Sequence, residues 1–155
     1  MTTKAKPIPD GFHPITPYLC CKGAAEAIEF YKRAFGAEER MRLAEPGARI
    51  GHAEIVIGKA PVMLADEYPD HGVLSPKTIG GSPVTIHVYV DDVDALYARA
   101  VAAGAKADKP PEDQFYGDRS VNLVDPFGHR WMFATHTEDV SGEEVQRRYD
   151  AMTKG

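Results

Sequence analysis

The sequence predicts an α+β protein made of two tandem βαβββ modules and a C-terminal helix, and three observations predict it. The 155-residue chain repeats itself. Thr16-Pro17-Tyr18-Leu19-Cys20-Cys21 precedes a helical pattern ending at Phe35-Gly36-Ala37, and Thr85-Ile86-His87-Val88-Tyr89-Val90 precedes one ending at Ala103-Gly104-Ala105. Thr16 and Thr85 lie 69 positions apart, as do Met63 and Met132, and duplication on this scale signals two copies of one unit sharing a core. In each half the helical pattern gives way to short strand-like runs separated by turn residues.

The elements follow in order. Residues 1–13, with Pro7, Pro9 and Gly11, read as a flexible arm. The folded domain is expected over 14–137, with modules at about 14–68 and 84–137. Strand one is Thr16 to Cys21. Helix one spans Ala24 to Phe35, because Ala24, Ala27, Ile28, Tyr31 and Phe35 share a face and Gly36 suits a left-handed cap. Strands follow at Glu39–Leu43, His52–Ile57 and Val62–Asp66, separated by Glu45-Pro46-Gly47 and Gly58-Lys59. The linker, 69–83, is rich in Gly, Pro and Ser and is long enough to lie over a cavity or a partner.

The second half opens with Val84 to Val90. Asp91 or Asp92 caps helix two, which buries Val93, Leu96, Tyr97 and Ala100 and stops at Gly104. A strand near Ala105–Asp108, the loop Lys109-Pro110-Pro111, a strand within Arg119–Val124 and a last strand, Arg130–Thr135, complete the module. Asp125-Pro126-Phe127-Gly128 joins the last two strands. In the final segment, 138–155, Ser141-Gly142-Glu143-Glu144 reads as a capping box that opens the C-terminal helix.

Composition excludes several classes. The formal charge is −5 with no Lys/Arg cluster, so neither nucleic acid nor an anionic membrane is an expected partner. No apolar run is long enough to span a bilayer, and the N-terminus has no signal core, which makes cytoplasm the expected location. Cys20 and Cys21 are adjacent in a strand, point to opposite faces and are expected to be reduced. Gly-rich phosphate loops, Cys-x-x-Cys and Gly-x-Ser-x-Gly are absent from the sequence.

The paired modules, with Phe30-Tyr31, Val90-Asp91-Asp92-Val93-Asp94 and Asp125-Pro126-Phe127-Gly128 at matching places, resemble the vicinal oxygen chelate superfamily. That is the group of glyoxalase I, bleomycin resistance proteins and extradiol dioxygenases. Tyr116-Gly117-Asp118-Arg119 and Asp125 through Trp131 resemble its PhnB-like branch. The resemblance implies a ligand cavity and a homodimer, with modules paired within one chain or exchanged between two. In metal-using members four side chains, one from the first and one from the last strand of each module, hold the ion. Those positions fall on Thr16, Met63, Thr85 and Met132, none of which suits a hard or borderline divalent ion. No standard metal centre and no cofactor are therefore expected.

Strand alternation places Thr85, His87 and Tyr89 on one face and Ile86, Val88 and Val90 on the other. The same rule turns Tyr18 and Cys20 toward the cavity. If His52 and Glu54 also face it, they and His87 can converge in three ways. His87 and Glu54 can act as catalytic acid and base. The two histidines and Glu54 can hold a relocated divalent metal. All three can be structural. Tyr18, His52, Tyr89, Tyr116 and Arg119 are candidate contacts for a small-molecule ligand, Arg119 because its fork suits an anion. Trp131 is expected in the core and His129 exposed in its turn. The expected function is small-molecule binding in a cavity, with a metal-dependent or acid–base enzyme using His87, Glu54 and His52 as the alternative.

Overall fold

The computed structural model describes residues 4–154. In chain order the elements are β1 (Tyr18–Cys21), α1 (Ala24–Phe35), β2 (Glu38–Ala44), β3 (Ile50–Ile57), β4 (Ala60–Asp66), α2 (Pro76–Ile79), β5 (Thr85–Tyr89), α3 (Val93–Ala103), β6 (Glu112–Asp113), β7 (Asp118–Val124), β8 (Arg130–His136) and α4 (Gly142–Thr153). They form two four-stranded mixed sheets, ordered β1-β4-β3-β2 and β5-β8-β7-β6. In each, the first strand pairs parallel with the last and the other pairs are antiparallel. The helix that leaves the first strand opens the long crossover that parallel pairing requires.

Each helix is started by a carboxylate or hydroxyl. Gly23, at the N-cap of α1, has no side chain to offer, so Asp66 reaches over from β4. One of its oxygens accepts from the Gly23 and Ala24 amides at 3.0 and 2.8 Å, and the other from Ile50 at 2.8 Å. Asp92 caps α3 by accepting from Ala95, and Ser141 caps α4 by accepting from Glu144. Glu144 does not close the capping box; it pairs with Arg147 and Arg148 instead.

One core serves both modules. Tyr31 and Phe35 of α1 meet Trp131 at 5.5 and 4.9 Å between ring centroids, and Phe35 meets Phe133 at 4.7 Å. Helix α3 contributes smaller residues, Val93 and Ala100, and Arg99 donates to the Lys32 and Arg33 carbonyls near the end of α1. Asp125 is 3% exposed and binds the modules together. It accepts from the Tyr31 hydroxyl (2.6 Å), the Trp131 indole (2.9 Å) and the Phe127 and His129 amides.

Three expectations need correction. The strand expected at Ala105–Asp108 is only an isolated bridge, Lys106 with Val124, and β6 forms later. Pro110 and Pro111 offer no amide hydrogens, so pairing resumes beyond them. Within the linker lie a 3₁₀ turn at Pro69–His71 and α2, capped by the Ser75 hydroxyl. Strand β1 begins at Tyr18, which leaves Thr16 outside it. His129 is half-buried rather than exposed, and its Nε2 donates to the Cys20 carbonyl at 2.8 Å.

Candidate functional site

Each sheet turns its apolar face to the helices and leaves the other face open. Leu19, Cys21, Ala53, Ile55 and Leu64 are buried on the helix side, whereas Tyr18 is exposed and His52, Glu54 and Met63 are half-buried on the other. In the second sheet, Ile86 and Val88 pack on the core while Thr85, His87 and Tyr89 are exposed. The expected alternation is present in both.

The parallel register sets which side chains stand side by side. Tyr18 pairs with Met63, and Met63 with Glu54, so the three form one row across β1, β4 and β3. In the second sheet the matching row is His87, Met132 and Asn122. The rows that contain the two methionines therefore hold Tyr18 and His87, not Thr16 and Thr85; Thr85 pairs with Arg130. Two thioethers, a phenol and one imidazole are a poor donor set for a hard or borderline divalent ion. Among the described residues no group of three or more His, Cys, Asp or Glu side chains is placed to hold a metal. His52, Glu54 and His87 are thus not gathered into a metal site within the chain.

What the first sheet does assemble is a hydrogen-bonded chain. Tyr18 Oη lies 2.7 Å from His52 Nδ1, and His52 Nε2 lies 3.2 Å from Glu54 Oε1. A carboxylate only accepts, so Nε2 carries a hydrogen. In the neutral imidazole Nδ1 is then the acceptor, and the Tyr18 hydroxyl donates to it. Partial burial, and secondly the Glu54 charge, push the Tyr18 pKa up, which keeps the phenol protonated.

The second sheet assembles a different chain. Tyr89 donates to Asp118 Oδ2 at 3.0 Å, and His136 Nδ1 meets Asp118 Oδ1 at 2.8 Å. His136 Nε2 meets Asp139 at 2.7 Å. Both imidazole nitrogens face carboxylates, so the cation fits best, and the bonds to Asp118 and then Asp139 raise the His136 pKa. The hydrogen bond to Asp118 also raises the pKa of Tyr89. Tyr116 stands near enough to Tyr89 to add to that shift.

The other candidates fall elsewhere. Arg119 lies on the helix side, where its fork holds Asp94 with bonds of 2.8 and 2.9 Å and reaches Asp113 at 3.4 Å. Its guanidinium is thus committed at the start of α3. Tyr116 packs edge-on against Phe115, which leans on Tyr149 of α4. No hydrogen bond joins His87 to Glu54 among the described residues; His87 stacks at a tilt on Tyr89, 4.7 Å between centroids.

Two clefts flank the inner edges of the sheets. The larger, about 810 Å³, lies between β5 and the β3–β4 turn and includes His13, Lys59, His87 and Tyr89. The smaller, about 510 Å³, lies beside β1 and the linker and includes Tyr18, Cys20, His129 and Arg130. Tyr18 and His87 occupy matched positions but line different clefts. His129 and Arg130 carry no local signal that marks them as cleft residues, because their placement depends on how the modules pack.

The family model for the glyoxalase/bleomycin resistance protein/dioxygenase superfamily matches residues 11–133. An uncharacterised protein of Mycobacterium bovis is 39% identical over 144 residues, covering 91% of this chain and 95% of its own length. Among solved structures, TioX from Micromonospora sp. ML1 superposes with a TM-score of 0.63 at 26% identity, over 83% of this chain and 100% of TioX. The fosfomycin resistance protein FosX from Listeria monocytogenes superposes at 0.60 with 18% identity, over 86% of this chain and 97% of FosX, a likeness of fold alone.

Proposed function

The chain belongs to the glyoxalase/bleomycin resistance protein/dioxygenase superfamily, and on that premise we propose that it is a PhnB-like protein that binds a small organic molecule without a divalent metal. The observation that carries this reading is the Tyr18–His52–Glu54 chain on an open sheet face. Its hydrogen commits the Tyr18 hydroxyl to His52, so the phenol oxygen offers a ligand a fixed acceptor with little left to order on binding. The Tyr116–Arg119 and Asp125–Trp131 stretches support the branch. Exposed Tyr18, Leu43 and Tyr89 on the open faces, and Tyr149 and Met152 on α4, support a homodimer. No helix among the described residues is long and apolar enough to cross a membrane, and the net charge of −5 with no Lys/Arg cluster supports a protein with neither anionic-membrane nor nucleic-acid partners.

The direction of the same hydrogen bonds favours a second reading, acid–base catalysis. As Tyr18 passes its proton to His52 Nδ1, the phenol oxygen can take one from a substrate, and Glu54 stabilises the imidazolium that forms. Metal analysis of protein purified without chelator, followed by a thermal-shift screen of small molecules, tests both readings. Binding without metal requires substoichiometric metal and hits that raise the melting temperature of the native protein but not of Tyr18→Phe. About one Zn, Fe, Mn or Ni per chain overturns the metal-free reading. A hit converted to product by the native protein but not by His52→Ala establishes the enzyme.

A further inference from the structure

The smaller cleft gathers exposed apolar side chains from three separate stretches. Ile15 is 87% exposed, Val84 62% and Ile79 59%, and Leu74 joins them on the same wall. Single exposed apolar residues need no explanation, but convergence on one concavity of about 510 Å³ does. Pockets of a few hundred Å³, mostly apolar with a few polar groups, are typical of small-molecule sites.

The charged side chain at this cleft is Arg130, beside the polar Tyr18, Thr85 and His129. Arg42, Arg49, Arg119, Arg147 and Arg148 hold carboxylates, and Arg99 holds two backbone carbonyls. Among the described residues Arg33, Arg40 and Arg130 have no ion pair and no side-chain hydrogen bond, and of these three Arg130 is the one that lines this cleft. It also borders an adjoining hollow with Lys106, likewise free of ion pairs there, and with Asp108. His129 cannot turn away, because its Nε2 is fixed on the Cys20 carbonyl.

We propose that this cleft binds an organic carboxylate with an apolar body, its headgroup on Arg130 and its body against Ile15, Leu74, Ile79 and Val84. A guanidinium offers a carboxylate two parallel hydrogen bonds, and the neighbouring apolar wall is what a hydrocarbon or aryl body needs. The proposal deepens the binding function above and rests on it, since Tyr18 lines the cleft and carries the hydrogen-bonded chain.

The test uses decanoate and decan-1-ol, which share a body and differ in headgroup, titrated calorimetrically into the full chain. Decanoate should bind more tightly than decanol to the native protein. Arg130→Gln, an exposed change that leaves the fold intact, should weaken decanoate at least about tenfold and leave decanol unaltered, as loss of a bidentate charged contact predicts. Equal binding of the two probes, no binding of decanoate, or no effect of Arg130→Gln overturns the proposed ligand class. In those cases the wider binding function stands or falls separately, by the thermal-shift hits lost in Tyr18→Phe. If Ile79→Glu turns a native dimer into a monomer while decanoate binding is unchanged, the apolar wall belongs to a second copy of the chain and the proposal fails.

Discussion

The two modules carry the same row with different chemistry. Tyr18, Met63 and Glu54 cross the first sheet, and His87, Met132 and Asn122 cross the second. In the first module a histidine lies between a phenol and a half-buried carboxylate, so the chain of bonds ends at an exposed phenol. In the second, the buried Asp118 lies between phenol and imidazole, and His136 runs on to Asp139 ahead of α4. The first arrangement leaves a group available to a ligand, whereas the second braces the chain against itself. The two sheets share one strand order while their open faces carry different side-chain chemistry.

The sharpest test of that contrast lies in the β7–β8 turn. Asp125→Ala strands the Tyr31 hydroxyl, the Trp131 indole and two amides, and should cost at least about 3 kcal/mol in urea unfolding. At the corresponding turn of the first module, Lys59→Ala should change stability by no more than about 0.5 kcal/mol. Equal effects would show that the turns are not specialised. Tyr31→Phe removes one donor to the same carboxylate and should cost about 1.5–3 kcal/mol by the same measurement.

Next come the phenols that begin the two hydrogen-bonded chains. Tyr89→Phe leaves the buried Asp118 short of a donor and should lower the urea midpoint, while Tyr18→Phe should leave the midpoint unchanged yet abolish ligand-induced thermal shifts. If Tyr18→Phe destabilises as much as Tyr89→Phe, the first chain is a brace too.

The smallest expected effect depends on pH. The folded His136 pKa is raised, so its contribution is fully present below the unfolded value near 6.5 and fades as pH rises through the folded one. The stability difference between native protein and His136→Gln should therefore be largest near pH 5.5 and shrink toward pH 9. A difference that grows with pH would mean the imidazole is held neutral.

Much of the fold was legible because local pattern and tertiary need agree. In α1 the three- and four-residue spacing of Ala24, Ala27, Ile28, Tyr31 and Phe35 matches the buried stripe, and Gly36 takes the left-handed cap with φ 68°. Alternation likewise placed Trp131 in the core and Tyr18 and His87 on open faces. Contacts between distant strands were less legible. Tyr18 reaches His52 across the intervening β4, a meeting set by sheet order, which spacing along the chain does not encode. Arg119 reads as an anion contact from its side chain alone, because Asp94, the carboxylate it holds, lies 25 residues earlier in α3. Neither Arg130 nor His129 has a local signature of its role beside β1.

Because Tyr31 and Phe35 of one module fill space against Trp131 and Phe133 of the other, the duplicated halves have lost independence. A fragment ending in the linker would carry a helix whose aromatic face has no floor, and the complementary fragment a sheet with no roof. The ancestral unit, if it once stood alone as a pair of identical copies, cannot be recovered from this chain by cutting it in two. Evolution of one half is now constrained by the volume available in the other, so compensating substitutions between α1 and β8 are where the history of the fusion should be written.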